Sequence, residues 1–233
     1  MYVNDQHIKL PQNPDTIIWK YLDLSKFVDL LLYRKLFMSR SDKFEDQYEG
    51  TFSEPTFEEI RKLSENNPDF LQYYKTHRER VVISSWHLNE YESFAMWQIF
   101  TQKNEGLAIQ STLGRLQQAL EPEKTYQQFI GEVNYIDYKK EYIPFEHPFF
   151  PFLFKRKSFI YEKEIRVITD LSEHKILIDN GLKVDVDLNT LIEKIYIHPR
   201  SENWYKNLVT ELVRRLGFQF KTEKSDLESD IMI

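Results

Sequence analysis

The chain has 233 residues, 41% of them hydrophobic and 15% aromatic, with no cysteine and a formal net charge of −6. That much apolar material supports a packed core and excludes a disordered chain. The lack of thiols excludes disulfides, thiol nucleophiles and thiolate metal sites, and the acidic balance argues against a sequence-independent grip on nucleic acid. No apolar run approaches the ~18 residues of a membrane span. Met1-Tyr2-Val3-Asn4-Asp5 lacks a basic-then-apolar signal pattern, so a cytoplasmic protein with no membrane partner is expected.

In chain order, Ile17–Leu22 reads as a strand, Ser25 as the N-cap of a helix running to about Arg34, and Leu36–Ser39 as a second strand. An acidic turn follows, from Asp42 to Gly50, without the alternating carboxylates and central glycine of a calcium loop. Thr56 with Glu59 forms a capping box, and Asn67-Pro68 opens another helix. Together they predict a helical insertion near residues 56–80. Val81–Trp86 is the clearest strand of this half. Asn89 and Glu92 suggest a capped helix to Asn104, with Phe94, Trp97 and Phe100 at helical spacing.

Gly106 stops that helix and Leu107–Gln110 starts a strand. Thr112–Leu120 is a short helix and Glu132–Asp137 a strand. Three prolines keep Tyr142–Phe154 from being a regular helix throughout; it reads as a hydrophobic loop packed over the core, or as a lid. At the C-terminal end, Lys194–His198 is a strand and Ser201 caps a helix with Trp204, Leu208, Leu212 and Leu216 along one face. Gly217 ends it and Phe218–Lys221 is the last strand, which implies a right-handed crossover between parallel strands. Strands interleave with helices throughout and no Pro/Gly/Ser-rich joint appears. The expected fold is therefore α+β, a mixed β-sheet with interleaved helices, in a single domain over residues 1–233.

Few motifs carry chemistry. Six scattered glycines leave no phosphate-cradling loop, and six scattered histidines leave no zinc spacing, so no metal motif is present. Basic clusters occur at Lys139-Lys140, Lys155-Arg156-Lys157 and Arg214-Arg215. The most informative stretch is Ile160–Thr169. It alternates like a strand, placing Glu162, Glu164 and Arg166 on one face and turning Ile165 and Val167 into the core. Two carboxylates and a guanidinium on one strand fit either an ion-pair ladder or a functional site.

Several motifs then fall into order: Trp19-Lys20-Tyr21, Met38-Ser39-Arg40 with Phe44-Glu45-Asp46 and Glu49-Gly50, Ile83-Ser84-Ser85-Trp86, and Met96-Trp97 with Phe100. After them come Glu105-Gly106-Leu107-Ala108-Ile109, Val133-Asn134-Tyr135 and Glu162-Lys163-Glu164-Ile165-Arg166. This series resembles the bacterial family catalogued as domain of unknown function 2971, which supplies no established chemistry. More distantly, the order is similar to ADP-ribosyltransferase-like folds, especially the DNA-modifying toxin branch. That resemblance implies NAD as co-substrate and a nucleic-acid or protein acceptor, as in a toxin or phage-defence effector. It casts Glu164, with Glu162, as the catalytic carboxylate. Lys20, Tyr21, Ser84, Ser85, Trp86, Trp97 and Arg166 become cofactor contacts. The usual His or Arg of the first strand is replaced here by Lys20-Tyr21.

Two other readings stand beside it. In one, the chain is a non-catalytic binding or regulatory module of a defence or mobile-element system, with a regulatory partner protein. Glu162 and Glu164 are then neutralised by Arg166 and neighbouring basic groups. In the other, Glu45, Asp46, Glu49 and Glu164 hold Mg²⁺ for a nuclease or phosphotransferase.

Overall fold

A computed structural model of the chain describes residues 2–65, 69–101, 104–174, 176 and 179–227. It is an α+β protein with a mixed sheet and interleaved helices. By its internal contacts the chain divides into two compact units, each assembled from three separate stretches. The first comprises Met1–Leu10, Phe37–Ser85 and Thr125–Val184, and the second Pro11–Leu36, Trp86–Lys124 and Asp185–Ile233. A chain that returns repeatedly to each unit needs no polar linker, so no joint is written into the sequence.

The first unit contains most of β2 (Lys35–Arg40), helices α2 (Glu54–Ser64) and α3 (Asp69–His77), and β3 (Val81–Leu88) as far as Ser85. It continues with β5 (Phe129–Glu132), β6 (Asn134–Ile136), β7 (Phe154–Arg156), β8 (Glu164–Asp170) and β9 (Gly181–Asp185). Strand β3 pairs antiparallel with β2, Ile83 opposite Ser39. It also pairs with β8, which pairs antiparallel with β5 so that Gly131 lies opposite Arg166. β6 and β7 form a separate parallel pair with Tyr135 opposite Lys155. Ile8, Val81, Ile83, Phe149, Phe152, Leu153 and Ile168 form one core cluster of this unit, and Ile136, Tyr138 and Ile143 another. The aromatic stretch 142–154 thus packs inward, and Phe150–Phe152 is a short 3₁₀ turn.

One N-cap of this half lies elsewhere than expected. Ser53, not Thr56, precedes α2, and its side chain makes no cap bond to the helix. The Thr56 hydroxyl is buried and instead fastens Ile143, donating to its carbonyl and accepting from its N–H at 2.8 Å each. A β-hydroxyl near a helix start serves whichever backbone group faces it, and tertiary packing decided the choice. The Asn67-Pro68 helix start lies outside the described residues. The Glu132–Asp137 strand is two strands, β5 and β6, interrupted at Val133.

The second unit contains β1 (Ile17–Asp23), α1 (Leu24–Tyr33), the end of β3, α4 (Phe94–Phe100), β4 (Gly106–Thr112), α5 (Leu113–Ala119), α6 (Leu188–Leu191), β10 (Lys194–Ile197), α7 (Asn203–Arg215) and β11 (Lys221–Lys224). β1 pairs antiparallel with β4 over its whole length and with the end of β3, Trp19 opposite His87. β10 and β11 are parallel across α7, as the strand–helix–strand pattern requires. Asp23 rather than Ser25 is the N-cap of α1. α4 starts at a Ser93 cap, whose hydroxyl accepts from the Met96 N–H at 3.4 Å, and ends at Phe100.

On α7 the buried stripe is Tyr205, Val209 and Val213, one residue on from the expected apolar row. Trp204 and Leu208 are 55% and 46% exposed. Both rows share the four-residue spacing, so periodicity alone does not choose between them. Glu202 is the cap of this helix, while the Ser201 hydroxyl donates to the His198 carbonyl at 2.8 Å. Among the described residues, no helix is long and apolar enough to cross a membrane.

Candidate functional site: a buried glutamate–lysine–arginine cluster

Strand β8 begins at Glu164, not at Ile160. Residues Lys157–Glu162 form a 3₁₀ helix, and Lys163 joins the two in the left-handed region at φ 40°, ψ 61°. A non-glycine residue there costs about 1–2 kcal/mol. The turn breaks the two-residue alternation between Glu162 and Glu164, yet both carboxyls still reach one cation, Lys155 on β7. β8 is paired on both sides and buried on both faces, so it is neither an edge nor a surface strand.

The Lys155 ammonium has three donors, and it faces three glutamates: Glu162 Oε2 at 2.5 Å, Glu164 Oε1 at 2.9 Å and Glu49 Oε1 at 3.1 Å. Arg166 is equally committed. Its Nε donates to Glu164 Oε2 at 2.8 Å, and Nη2 to Glu164 Oε1 at 2.9 Å and Glu49 Oε1 at 2.8 Å. Nη1 donates to Glu49 Oε2 and to the Phe152 carbonyl, both at 2.8 Å. These bonds use all five guanidinium N–H groups. Side-chain exposure runs from 0% for Arg166 to 8% for Lys155 and Glu162. The Glu164 N–H donates to the Tyr135 hydroxyl at 2.8 Å, tying β8 to β6.

Three carboxyl groups thus face two cations in a nearly dry site. Burial raises the pKa of Glu162, and the hydrogen bond and charge of Glu164 raise it further, to about 8. It therefore carries a proton at neutral pH. Burial acts on Glu164 in the same sense, but Arg166 and then Lys155 outweigh it and hold this carboxyl well below the usual range. Burial works against the Lys155 ammonium, yet Glu164 and Glu49 keep its pKa above the ordinary lysine value. With Glu162 neutral, two carboxylates balance two cations. A protonated carboxyl beside an ionised one is also the arrangement of acid–base chemistry.

The backbone that delivers Glu49 is set by Gly50, at φ +67°, where an added Cβ would collide with the Phe152 ring. Neighbouring Asp46 accepts from Arg156 at 2.7 and 3.2 Å, and the Arg156 guanidinium lies over Tyr48 at 4.5 Å and Phe159 at 5.4 Å. Of the carboxylates considered for Mg²⁺, then, Asp46, Glu49 and Glu164 are each engaged by a basic side chain. Among the described residues, no group of three or more His, Asp or Glu is arranged to hold a metal ion.

The remaining residues singled out by the sequence occupy other surroundings. In the second unit, Tyr21 and Trp97 belong to a buried cluster with Trp19, Met96 and Ala108, their rings 5.0 Å apart. The Tyr21 hydroxyl accepts from the Ser93 N–H at 2.8 Å, and Trp97 Nε1 donates to Glu92 at 3.0 Å. Burial raises the pKa of Tyr21. Lys20, on the opposite face of β1, places its ammonium 5.2 Å from the centre of the buried Trp86 ring. Ser84 and Ser85 lie on β3 in the first unit, Ser84 buried and Ser85 half-buried.

The structure brings Glu162, Glu164 and Arg166 together, and separately Tyr21 with Trp97 and Lys20 with Trp86. The cluster members least visible in the sequence as site residues were Lys155, inside a basic run that reads as a solvated face, and Glu49, in a turn that reads as exposed. Phe154-Lys155-Arg156, directly after an aromatic stretch, was the available signal that a lysine is drawn inward. No known protein-family model matches this chain, and no curated protein sequence does so either.

Proposed function

We propose that the chain is a non-catalytic binding or regulatory module, of the kind a defence or mobile-element system would use with a partner protein. In this reading its Glu–Lys–Arg cluster serves to hold the first unit together. The observation that carries it is saturation: both Glu164 oxygens and both Glu49 oxygens accept from Arg166 or Lys155, and every guanidinium donor is used. A carboxylate that must stabilise a developing oxocarbenium charge has to face the reacting sugar. These face their own cations. Incubation of the pure protein with labelled NAD, with and without nucleic acid, tests the reading: unaltered NAD and no saturable binding are expected, and release of nicotinamide overturns it.

A second reading keeps the resemblance to ADP-ribosyltransferase-like enzymes, with NAD as co-substrate and a nucleic-acid or protein acceptor. Its support is the carboxyl pair itself, Glu162 protonated beside an ionised Glu164. Under it Glu164 would stabilise the ribosyl cation, and the basic side chains would meet the pyrophosphate. The same NAD incubation separates the two.

A further inference from the structure

The cluster joins two elements that meet at a strained residue. The 3₁₀ turn Lys157–Glu162 carries exposed Ile160 and Tyr161, and only its last residue, Glu162, is buried. Immediately after it, Lys163 sits at positive φ, and its N–H makes a long 3.3 Å bond to the Ile160 carbonyl. Left to itself, a lysine in that conformation would relax toward negative φ. On the β8 side Glu164 is fixed by Tyr135 and Val133; on the side of the turn, relaxation is opposed by the side chain of Glu162, gripped by Lys155 at 2.5 Å and hydrogen-bonded to Glu164.

The grip depends on the charge balance around Glu162. The groups packed about Glu162 are Lys155 from β7, Glu164 and Arg166 from β8, Glu49 from the turn before Gly50 and the Tyr135 hydroxyl from β6. With Glu162 ionised, three carboxylates would share two cations that already serve Glu49 and Glu164. Two carboxylates in contact would also repel one another in a nearly dry site. We propose that the cluster is a proton-operated latch: one proton shared between Glu162 and Glu164 holds the 3₁₀ turn closed on β8, and its loss frees the turn with Ile160 and Tyr161. In the closed form the proton sits on Glu162 and bridges to Glu164. In the open form Glu162 ionises in water, Lys163 relaxes, and Lys155 stays with Glu49 and Glu164. The latch goes beyond the functional reading above and holds whether or not NAD is turned over.

Backbone hydrogen exchange at the Lys163 amide, measured from about pH 5.5 to about pH 9.5 on the intact chain and on Glu162→Gln, reads the latch directly. Glutamine cannot ionise, so the variant cancels the intrinsic pH dependence of exchange. Relative to the variant, protection in the parent chain is expected to fall by up to about tenfold per pH unit until about pH 8 and to level off above it. A ratio constant within about twofold overturns the proposal. Should the variant fail to fold, carbon-13 titration of the Glu162 carboxyl in the unmodified chain decides: a midpoint near 8 is expected, and one in the ordinary glutamate range overturns the latch. Neither readout involves NAD, so failure here and failure of the functional reading are distinguishable.

Discussion

Replacing Arg166 with methionine should be among the most damaging single changes in the first unit. The side chain is wholly buried and makes five hydrogen bonds, four of them to the carboxylates of Glu49 and Glu164. Charge-assisted bonds contribute roughly 1.5–3 kcal/mol each, but the desolvation of three ions offsets most of that sum, so the bonds cannot simply be added. The relevant quantity is what remains after the substitution: two buried carboxylates with Lys155 as their only cation. Removing one partner of a buried ion pair costs about 3–5 kcal/mol, a large share of a typical 5–15 kcal/mol stability. Urea unfolding followed by circular dichroism checks this. The triple variant Glu49→Leu, Glu164→Leu, Arg166→Met, which removes the charges together, should recover much of the loss. A single-variant cost below about 1 kcal/mol would refute the reasoning, because the carboxylates would then have found water or another partner.

Gly50→Ala should cost about 2–3 kcal/mol in the same assay, because the new methyl meets Phe152 at a backbone that needs positive φ; a change under about 0.5 kcal/mol would mean the turn adjusts freely. On α7, Leu208→Ala is expected to be near neutral and Tyr205→Ala to cost about 3 kcal/mol, matching which of the two is buried; the reverse order would place the wrong face inward. With pH, Glu162 and Glu164 act in opposite senses. The raised pKa of Glu162 contributes stability that is full below its ordinary value of 4.5 and lost as pH rises to about 8. The lowered pKa of Glu164 contributes stability that is present above 4.5 and lost as pH falls through its folded value. Glu162→Gln should therefore lose less stability than the parent between about pH 4.5 and about pH 8, and equal slopes in urea titrations across that window would contradict the assignment.

Elements whose apolar pattern has one solution were legible from sequence. β1, β2, β3 and the parallel β10–α7–β11 unit fall within a few residues of expectation, and the α+β class follows from their order. Side-chain duties at helix starts were not: Ser25, Thr56 and Ser201 all have capping chemistry, and tertiary contacts or a neighbouring residue took the role in each case. The Glu162–Arg166 stretch stands out in the sequence, but its meaning depends on Lys155 and Glu49, which are brought in by β7 and by the turn at Gly50. No local pattern reports such a meeting. The left-handed Lys163 was equally hidden, since nothing about a lysine between two glutamates announces positive φ.

The most direct test is Glu164→Gln, assayed at once for stability and for NAD consumption. If the carboxylate is structural, the variant loses about 3 kcal/mol of stability, and NAD stays intact with parent and variant alike. A parent that releases nicotinamide, and a variant that folds as well as the parent but no longer does so, would contradict it and make Glu164 a catalytic residue.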